Sequence, residues 1–303
     1  MKRRIWIFLG TLGAALGLLL LWPAPAPVSH PFFQSKTASS VEIIAHGGGL
    51  GHAPPNTLLA LQRAEAMGAN MLEADVQQTR DGVLILRHDD TLDRTTNMTG
   101  RIADYDWSDL QAADAGARTE IGGESFQNRG ILIPTLEAAL AAFPNARWNL
   151  EIKNDTITAA REMCRVIQNA RAEQRVLVAS FHDAAMAEFR RACPSVATSM
   201  ASREVRDFVI AARLGLSRFI RTQAVAIQVP MSAQNLDLTH PRIISAAKSR
   251  GIFVHYWTIN APDDMSDLIQ AGADGLITDF VDRGRAALDE YKKMGAERAH
   301  LPK

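Results

Sequence analysis

The 303-residue sequence predicts an α/β protein folded as a (β/α)8 TIM barrel. From Val41 onward, short apolar runs alternate with helical segments, and eight β/α units result when the extended arm 83–86 is grouped with the strand before it. Such alternation is typical of a parallel sheet with helical crossovers. Eight units in about 260 residues fit a closed barrel better than an open sheet. No G-x-G-x-x-G motif follows a predicted strand, which disfavours a nucleotide-binding open sheet.

The predicted elements follow in order along the chain. Strands are expected at 41–45, 71–76, 147–152, 175–181, 196–200, 224–229, 252–259 and 274–278. Helices are expected at 57–67, 135–143, 156–171, 182–192, 204–214, 241–250, 263–271 and 281–294. Thr57 and Thr135 stand directly before apolar residues at helical spacing, where a hydroxyl can cap the first turn. Gly68 is expected to end the first helix.

Residues 1–22 predict an N-terminal transmembrane helix that precedes the barrel. Basic residues at positions 2–4 precede an uncharged apolar run from 5 to 22, which is long enough to cross a bilayer core of about 30 Å. The basic side should stay inside, so the catalytic domain is expected in the periplasm or the extracellular space. The alternative is a signal peptide cut after Ala24-Pro25-Ala26, which would release a secreted protein. Pro27 and the length of the run favour the anchor.

Three further features concern domain organisation. Residues 23–40 are rich in proline and predict an extended linker before the domain 41–303. Residues 92–130 predict an insertion over the mouth of the site with little regular structure. Cys164 and Cys193 match no zinc or redox motif, so we expect two buried thiols, with a disulfide left open for an exported protein.

Charge and composition exclude one class of partner. The chain has 33 basic and 33 acidic residues, and no basic segment is interleaved with aromatic residues. Nucleic acid is therefore not expected as a partner.

Three carboxylates on predicted strands indicate a cation site. Glu73 and Asp75 alternate with apolar residues, so they should share one face, and Glu151 occupies a similar place on the next strand. Ionised carboxylates inside a barrel cost several kcal/mol unless a positive charge balances them. Lys153 alone cannot balance three acids, so the set predicts one divalent cation with oxygen ligands, Mg²⁺ or Ca²⁺.

Two histidines at the ends of apolar runs complete the predicted site. His46 follows the first strand and His88 follows the arm 83–86. Such a pair can act as general base and general acid around one reacting group. Asp89 and Asn56 are candidates to orient the two rings.

Several ordered motifs carry a resemblance to a known family. They are Ala45-His46-Gly47, Asn56-Thr57, Gly68-Ala69-Asn70 before Glu73 and Asp75, Thr79-x-Asp81-Gly82, His88-Asp89, Leu92-x-Arg94-Thr95-Thr96, Leu150 to Lys153, Ser180-Phe181, Trp257 to Asn260, and Ala273 to Asp279. Their order over about 41–280 resembles the glycerophosphodiester phosphodiesterase family.

The resemblance implies a TIM barrel that splits phosphodiesters into glycerol 3-phosphate and an alcohol. It implies that the three acids hold the cation, while His46 and His88 serve as acid and base in an order left open. It also implies that Lys153 contacts the phosphate and that Trp257 packs against the glycerol or alcohol part of the substrate. The expected substrate is a small-molecule or lipid-derived phosphodiester.

Two residues depart from the family pattern. Gly47 stands where relatives usually have arginine, and Pro55 stands where they usually have glutamate. The backbone N–H groups of Gly47, Gly48 and Gly49 could bind phosphate in place of the arginine. The alternative is that Arg94 or Lys153 supplies more of the contact with the phosphate.

Two alternative functions are therefore kept. One is a membrane-tethered lysophospholipase D, for which Trp107, Ile121 and Phe126 would supply an apolar surface. The other is a catalytically impaired binder of phospholipid head groups.

Overall fold

The structure is a computed structural model that describes residues 25–34 and 41–299. The predicted membrane anchor, residues 1–22, lies outside the described residues. None of the helices in the described ranges is both long and apolar enough to cross a membrane.

The described elements follow one another as helices α1 to α10 and strands β1 to β13. In chain order they are α1 (Pro31–Gln34), β1 (Glu42–Ala45), α2 (Leu58–Ala66), β2 (Met71–Gln78), β3 (Leu84–Leu86), α3 (Trp107–Leu110), β4 (Glu120–Ile121), β5 (Glu124–Ser125), α4 (Leu136–Ala142), β6 (Trp148–Ile152), α5 (Ile157–Asn169), β7 (Val176–Ala179), α6 (Asp183–Ala192), β8 (Ala197–Thr198), α7 (Ser202–Arg213), β9 (Ala226–Val229), β10 (Ser232–Ala233), β11 (Leu236–Asp237), α8 (Pro241–Ser249), β12 (Phe253–Tyr256), α9 (Pro262–Ala271), β13 (Gly275–Thr278) and α10 (Val281–Ala299).

Eight parallel strands form the predicted barrel. Their order is β8-β7-β6-β2-β1-β13-β12-β9, and a parallel bridge between Ser199 and Ala226 joins the two ends of this sheet. The arm β3 pairs antiparallel with β2 outside the ring, as expected from grouping the two. All carboxyl ends of the barrel strands therefore point to one mouth, where such folds place their chemistry.

Threonine caps fix the start of three helices around the barrel. The hydroxyls of Thr57, Thr135 and Thr156 each accept a hydrogen bond from the backbone N–H three residues later. The sequence predicts this arrangement at Thr57 and Thr135, since a capping oxygen satisfies an N–H of the first turn that has no partner in the helix.

Register between β2 and β6 assembles the acidic cluster. Glu73 pairs with Asn149 and Asp75 with Glu151 in adjacent parallel strands. Because side chains alternate across a strand, these four residues share the inner face of the barrel. The period-two prediction is thus confirmed for both strands.

The insertion between β3 and α4 has little regular structure, as predicted, but it contains an apolar cluster of its own. Its regular elements include α3 and the β4–β5 hairpin, and Phe126 is fully buried in a separate apolar cluster with Leu92, Ile102 and Leu110. Trp107 and Ile121 pack against the same cluster. None of residues 92–130, all of which the structure describes, is among those that line the cavity at the barrel mouth.

The opposite end of the barrel is closed by residues 25–34. Phe32 and Phe33 of α1 are buried, and the ring of Phe33 stacks on Phe253, the first residue of β12, at 3.7 Å between centroids. Arg147, just before β6, lies over Phe32 and pairs with Glu42 at the start of β1. This part of the predicted extended linker is therefore a docked segment on the amino-terminal side of the sheet.

Cys164 and Cys193 form a disulfide, which replaces the expectation of two free thiols. Cys164 lies in α5 and Cys193 directly follows α6, with their Cα atoms 5.7 Å apart. The bond closes a loop with a sequence separation of 29 residues. Sequence spacing could not establish the pairing, because it depends on how α5 and α6 pack side by side.

Loss of this disulfide should reduce stability without loss of the fold. For a loop of this length the chain-entropy relation gives about 3.6 kcal/mol of stabilisation. The Cys164→Ala, Cys193→Ala double variant should therefore show a lower free energy of unfolding by about 2–4 kcal/mol in urea denaturation. Dithiothreitol should shift the wild-type midpoint toward that of the variant and leave the variant unchanged. An unshifted wild-type midpoint after full reduction would contradict a stabilising bond.

Candidate active site

A cavity of about 880 Å³ opens at the carboxyl ends of the barrel strands. One half of its wall is polar and contains six of the predicted site residues. These are His46, Glu73, Asp75, His88, Glu151 and Lys153. The structure therefore brings together at one place the two histidines, the three acids and the lysine that the sequence singled out.

The three carboxylates form a compact cluster. Ligand atoms of Glu73, Asp75 and Glu151 all lie within 4.8 Å of one another. Glu73 and Asp75 are almost completely buried, and Glu151 is partly accessible from the cavity. Three carboxylates that each offer an oxygen within so small a space are the kind of ligand set that Mg²⁺ and Ca²⁺ prefer.

Asn56 orients Asp75, whereas the sequence predicted that it would orient one of the two histidine rings. Its side-chain amide donates to Oδ2 of Asp75 at 2.9 Å, and its carbonyl oxygen accepts from the backbone N–H of Asp75 at 2.9 Å. Asn56 therefore orients a member of the acidic cluster. Because both polar ends of the amide are used, the carboxylate of Asp75 has one fixed direction.

Lys153 supplies the positive charge closest to the acids. Its Nζ lies 3.1 Å from Oε1 of Glu151 and 3.4 Å from Oδ1 of Asp75. Burial would lower the pKa of Lys153, but the charges of Asp75 and Glu151 outweigh burial and raise it. The lysine is therefore protonated.

One lysine does not neutralise the cluster. Burial raises the pKa of Glu73, and repulsion from Asp75 raises it further. Burial also raises the pKa of Glu151, and Lys153 offsets this only in part. A divalent cation would relieve the same repulsion, so the residues present fit the metal ion that the sequence predicts.

His46 is anchored by Asp279, a residue that the predicted site did not include. The Nδ1 of His46 lies 2.7 Å from Oδ1 of Asp279, and the amide of Asn260 donates to the other oxygen of Asp279 at 2.7 Å. Burial alone would lower the pKa of His46. The bond to Asp279 and the charges of Glu73, Asp279 and Asp75 outweigh burial and raise the pKa to about 9.

His88 has a similar anchor on the other side of the cavity. Its Nδ1 lies 2.8 Å from Oδ1 of Asp89, as the orienting role for Asp89 requires. Arg94 donates to both oxygens of Asp89, at 2.5 and 3.2 Å. Burial would raise the pKa of Asp89, but the bonds from Arg94 and His88 lower it to about 2. Arg94 is not among the residues that line the cavity, and its observed contact is with Asp89. A contact between Arg94 and the substrate stays a prediction.

Two of the three N–H groups in the glycine run, which the sequence predicts as a phosphate nest, already have partners within the protein. The backbone N–H of Gly47 donates to Oε2 of Glu73, and that of Gly49 donates to the carbonyl oxygen of His46. Gly47 has φ of +51°, and a Cβ there would lie 2.7 Å from Cδ1 of Leu50. Gly47 therefore makes a tight turn that positions Glu73, and its N–H group is already occupied.

Trp257 lies in the cavity wall, as the resemblance implied. Its ring meets that of Phe181 edge to face with 5.7 Å between centroids, and Phe181 also lines the cavity. The two aromatic rings stand where the polar half of the cavity passes into an apolar half.

A closed parallel barrel whose mouth carries an acidic cluster and two carboxylate-anchored histidines is suited to hydrolysis by acid–base catalysis beside a bound cation. Residues 46–283 match the glycerophosphoryl diester phosphodiesterase family, and the chain belongs to that family.

Individual relatives agree with this assignment. The chain is 31% identical over 264 residues to a probable glycerophosphodiester phosphodiesterase 2 of Mycobacterium tuberculosis, covering 83% of this chain and 95% of that protein. It is 30% identical over 246 residues to a glycerophosphodiester phosphodiesterase of Caldanaerobacter subterraneus, covering 78% of this chain and 93% of that one. An Oleispira antarctica phosphodiesterase, solved with its product sn-glycerol-3-phosphate, superposes with a TM-score of 0.65 at 25% identity, covering 82% and 96%.

Replacement of Asp279 should change the basicity of His46. Asp279→Asn keeps the shape of the side chain but removes its charge, so the imidazolium loses its strongest partner. The pKa of His46, followed by NMR titration of its ring protons in cation-free protein, should fall from about 9 by about one unit or more. Asp282→Asn is the matched control, because Asp282 pairs with His52 at 2.9 Å, away from the cavity. An unchanged His46 midpoint in the Asp279 variant would show that the pair does not set its basicity.

Proposed function

We propose that the protein hydrolyses glycerophosphodiesters to glycerol 3-phosphate and an alcohol, using one Mg²⁺ or Ca²⁺ ion. The observation that carries this proposal is the pair of anchored histidines on the cavity that also holds Glu73, Asp75 and Glu151. The family assignment supports the same reaction. Retention of all five groups argues against the impaired head-group binder.

The two histidines divide the proton transfers. Each has its Nδ1 against a carboxylate, so Nε2 is the atom left to exchange protons with substrate. One ring removes the proton of the attacking hydroxyl, from water or from the 2-hydroxyl of the glycerol, and the other protonates the leaving alkoxide. Asp279 and Asp89 stabilise the imidazolium that forms on either side.

Binding of the phosphate falls to the acidic end of the cavity. A cation held by Glu73, Asp75 and Glu151 would supply neutralisation of phosphate charge. Lys153 lies beside two of these acids, and its ammonium can donate to a phosphate oxygen. Trp257 packs against the glycerol part and excludes water from that side.

Purified protein should release glycerol 3-phosphate from glycerophosphocholine. His46→Ala and His88→Ala should each reduce kcat by about 10²–10⁴, the usual contribution of a positioned acid or base. EDTA should abolish the reaction, and added Mg²⁺ or Ca²⁺ should restore it. A coupled glycerol 3-phosphate dehydrogenase assay measures the product directly.

His52→Ala is the matched control for these variants. His52 is a histidine on the same loop as His46, but it pairs with Asp282 and does not line the cavity. Its replacement should leave kcat within about twofold of wild type. Near-normal turnover by both His46→Ala and His88→Ala would exclude the acid–base pair. Tight binding of glycerophosphocholine without any product would instead favour a head-group binder.

We also propose that the catalytic domain lies outside the cytoplasm and is attached to the membrane through residues 5–22. The basic residues before this apolar run favour that orientation. The disulfide between Cys164 and Cys193 supports the location, since such bonds persist in oxidising compartments.

This location can be tested in cells that express the full chain. The protein should stay in the membrane fraction after a high-salt wash, dissolve in detergent, and be cut by protease added to spheroplasts. A cytoplasmic marker protein that stays intact is the control. Recovery of a soluble protein whose first residue is 27 or later would instead show a cleaved signal and secretion.

A further inference from the structure

A polar layer inside the barrel contains one side chain that the proposed mechanism does not use. Gln228 of β9 lines the catalytic cavity and is partly buried. Its partners in this layer are Asn149 of β6 and His255 of β12, which are both almost completely buried. Gln228 and His255 are paired in register between adjacent parallel strands, so their side chains share one face of the sheet. Because Gln228 lines the cavity, that face is the barrel interior.

The side-chain nitrogen of Gln228 has both of its N–H groups in use. Its Nε2 lies 3.1 Å from Oδ1 of Asn149 and 3.2 Å from Nδ1 of His255. An amide nitrogen only donates, so the oxygen of Asn149 and the ring nitrogen of His255 both accept. These two bonds, to strands on different sides of Gln228, fix the direction of its amide group.

His255 itself is held tightly by its surroundings. The residue is fully buried, and its ring meets the ring of Phe33 edge to face with 6.0 Å between centroids. A Cβ on the neighbouring Gly275 would lie 2.8 Å from Cδ2 of His255, so the ring has little room to turn. The amide of Gln228 is therefore oriented before any ligand binds, as a selective site requires.

The carbonyl oxygen of the same amide is the atom left for a ligand. No residue that the structure describes donates a hydrogen bond to Oε1 of Gln228, and this oxygen is accessible rather than sealed in the core. An amide oxygen accepts hydrogen bonds and cannot donate them. It therefore suits a hydroxyl group and does not suit the oxygens of an ionised phosphate.

The order of the strands places this acceptor near the carbon end of the substrate. The acids are on β2 and β6, and β9 and β12 face those strands across the ring. Trp257 directly follows β12, and its backbone N–H donates to the carbonyl oxygen of Val229, the residue after Gln228. With the phosphate at the acids, the end of the glycerol that is remote from phosphorus lies toward Trp257 and Gln228.

We propose that Oε1 of Gln228 accepts a hydrogen bond from the terminal hydroxyl of the substrate's glycerol and thereby determines specificity for glycerol. The inference rests on the function proposed above, in which Trp257 packs against that glycerol. Gln228 contacts the substrate and takes no part in proton transfer, which His46 and His88 carry out. A substrate with a methyl group at this position would leave Oε1 without a partner in a site closed to water, and that cost is the source of the selectivity.

The test compares glycerophosphocholine with 2-hydroxypropyl phosphocholine of the same configuration, which lacks only the terminal hydroxyl. The 2-hydroxyl is kept, so either nucleophile of the mechanism remains available. The full-length enzyme in nanodiscs receives both substrates in one mixture with Mg²⁺, and mass spectrometry measures the two phosphate monoester products. The product ratio gives the ratio of the two kcat/KM values and does not depend on the fraction of folded enzyme. The wild type should prefer glycerophosphocholine at least about tenfold.

Gln228→Met should remove this preference. Methionine is similar in length and shape but has no carbonyl oxygen, so the ratio should fall to about threefold or less. Gln228→Asn is a second variant, because it keeps an amide but withdraws the oxygen by one methylene, and it should lose the preference as well. Gln78→Met is the matched control, since Gln78 also ends a strand and is partly buried but does not line the cavity.

The outcomes separate this inference from the proposed function. A wild-type preference that both Gln228 variants lose and Gln78→Met retains supports the hydroxyl contact. Equal hydrolysis of the two substrates by the wild type, or a preference that persists in either folded Gln228 variant, overturns the contact and leaves the proposed function standing. Absence of product from both substrates with the wild type overturns both.

Discussion

Burial of three carboxylates side by side is the constraint on which the rest of the site depends. The parallel register of β2 and β6 places Asp75 directly beside Glu151, with Glu73 two residues earlier on the same face. Three neighbouring residues orient these carboxylates or compensate part of their negative charge. Asn56 fixes Asp75, Gly47 donates to Glu73, and Lys153 supplies part of the compensation. The remaining deficit of positive charge is what makes a divalent cation, rather than an ion pair alone, the physically consistent occupant.

One end of the barrel is closed by aromatic side chains, and the other end holds the cavity. Phe32 and Phe33 seal the amino-terminal end, and Val28 is hydrogen-bonded there to the carbonyl of Arg250. The catalytic cavity opens at the other end. Residues 25–34 therefore lie on the side of the domain opposite to the cavity.

The sequence predicts those features of the site that depend on residues close together in the chain, and it does not predict contacts between distant residues. Period two along one strand predicts that Glu73 and Asp75 share a face, and alternation of short apolar runs with helices predicts eight barrel units. The partner of His46 could not be predicted this way, since Asp279 lies 233 residues further along the chain and meets it only because β1 and β13 are adjacent in the barrel. The disulfide and the apolar cluster inside the insertion could not be predicted for the same reason, because both depend on how segments pack. The contact between Gly47 and Glu73 could not be predicted either, since the two residues are 26 positions apart.

The glycine after His46 leaves the catalytic half of the cavity with less positive charge than the family pattern provides. The family usually has an arginine at the position of Gly47, and the one N–H group of Gly47 is already bonded to Glu73. Lys153 already faces two carboxylates, so less positive charge is available to hold the phosphate in the ground state. An enzyme in this situation gains from binding a part of the substrate remote from the reacting bond, because that binding energy can position the phosphate without adding charge beside it. Val205, Val209 and Ile210 of α7 line the same cavity as Trp257 and offer a surface of that kind.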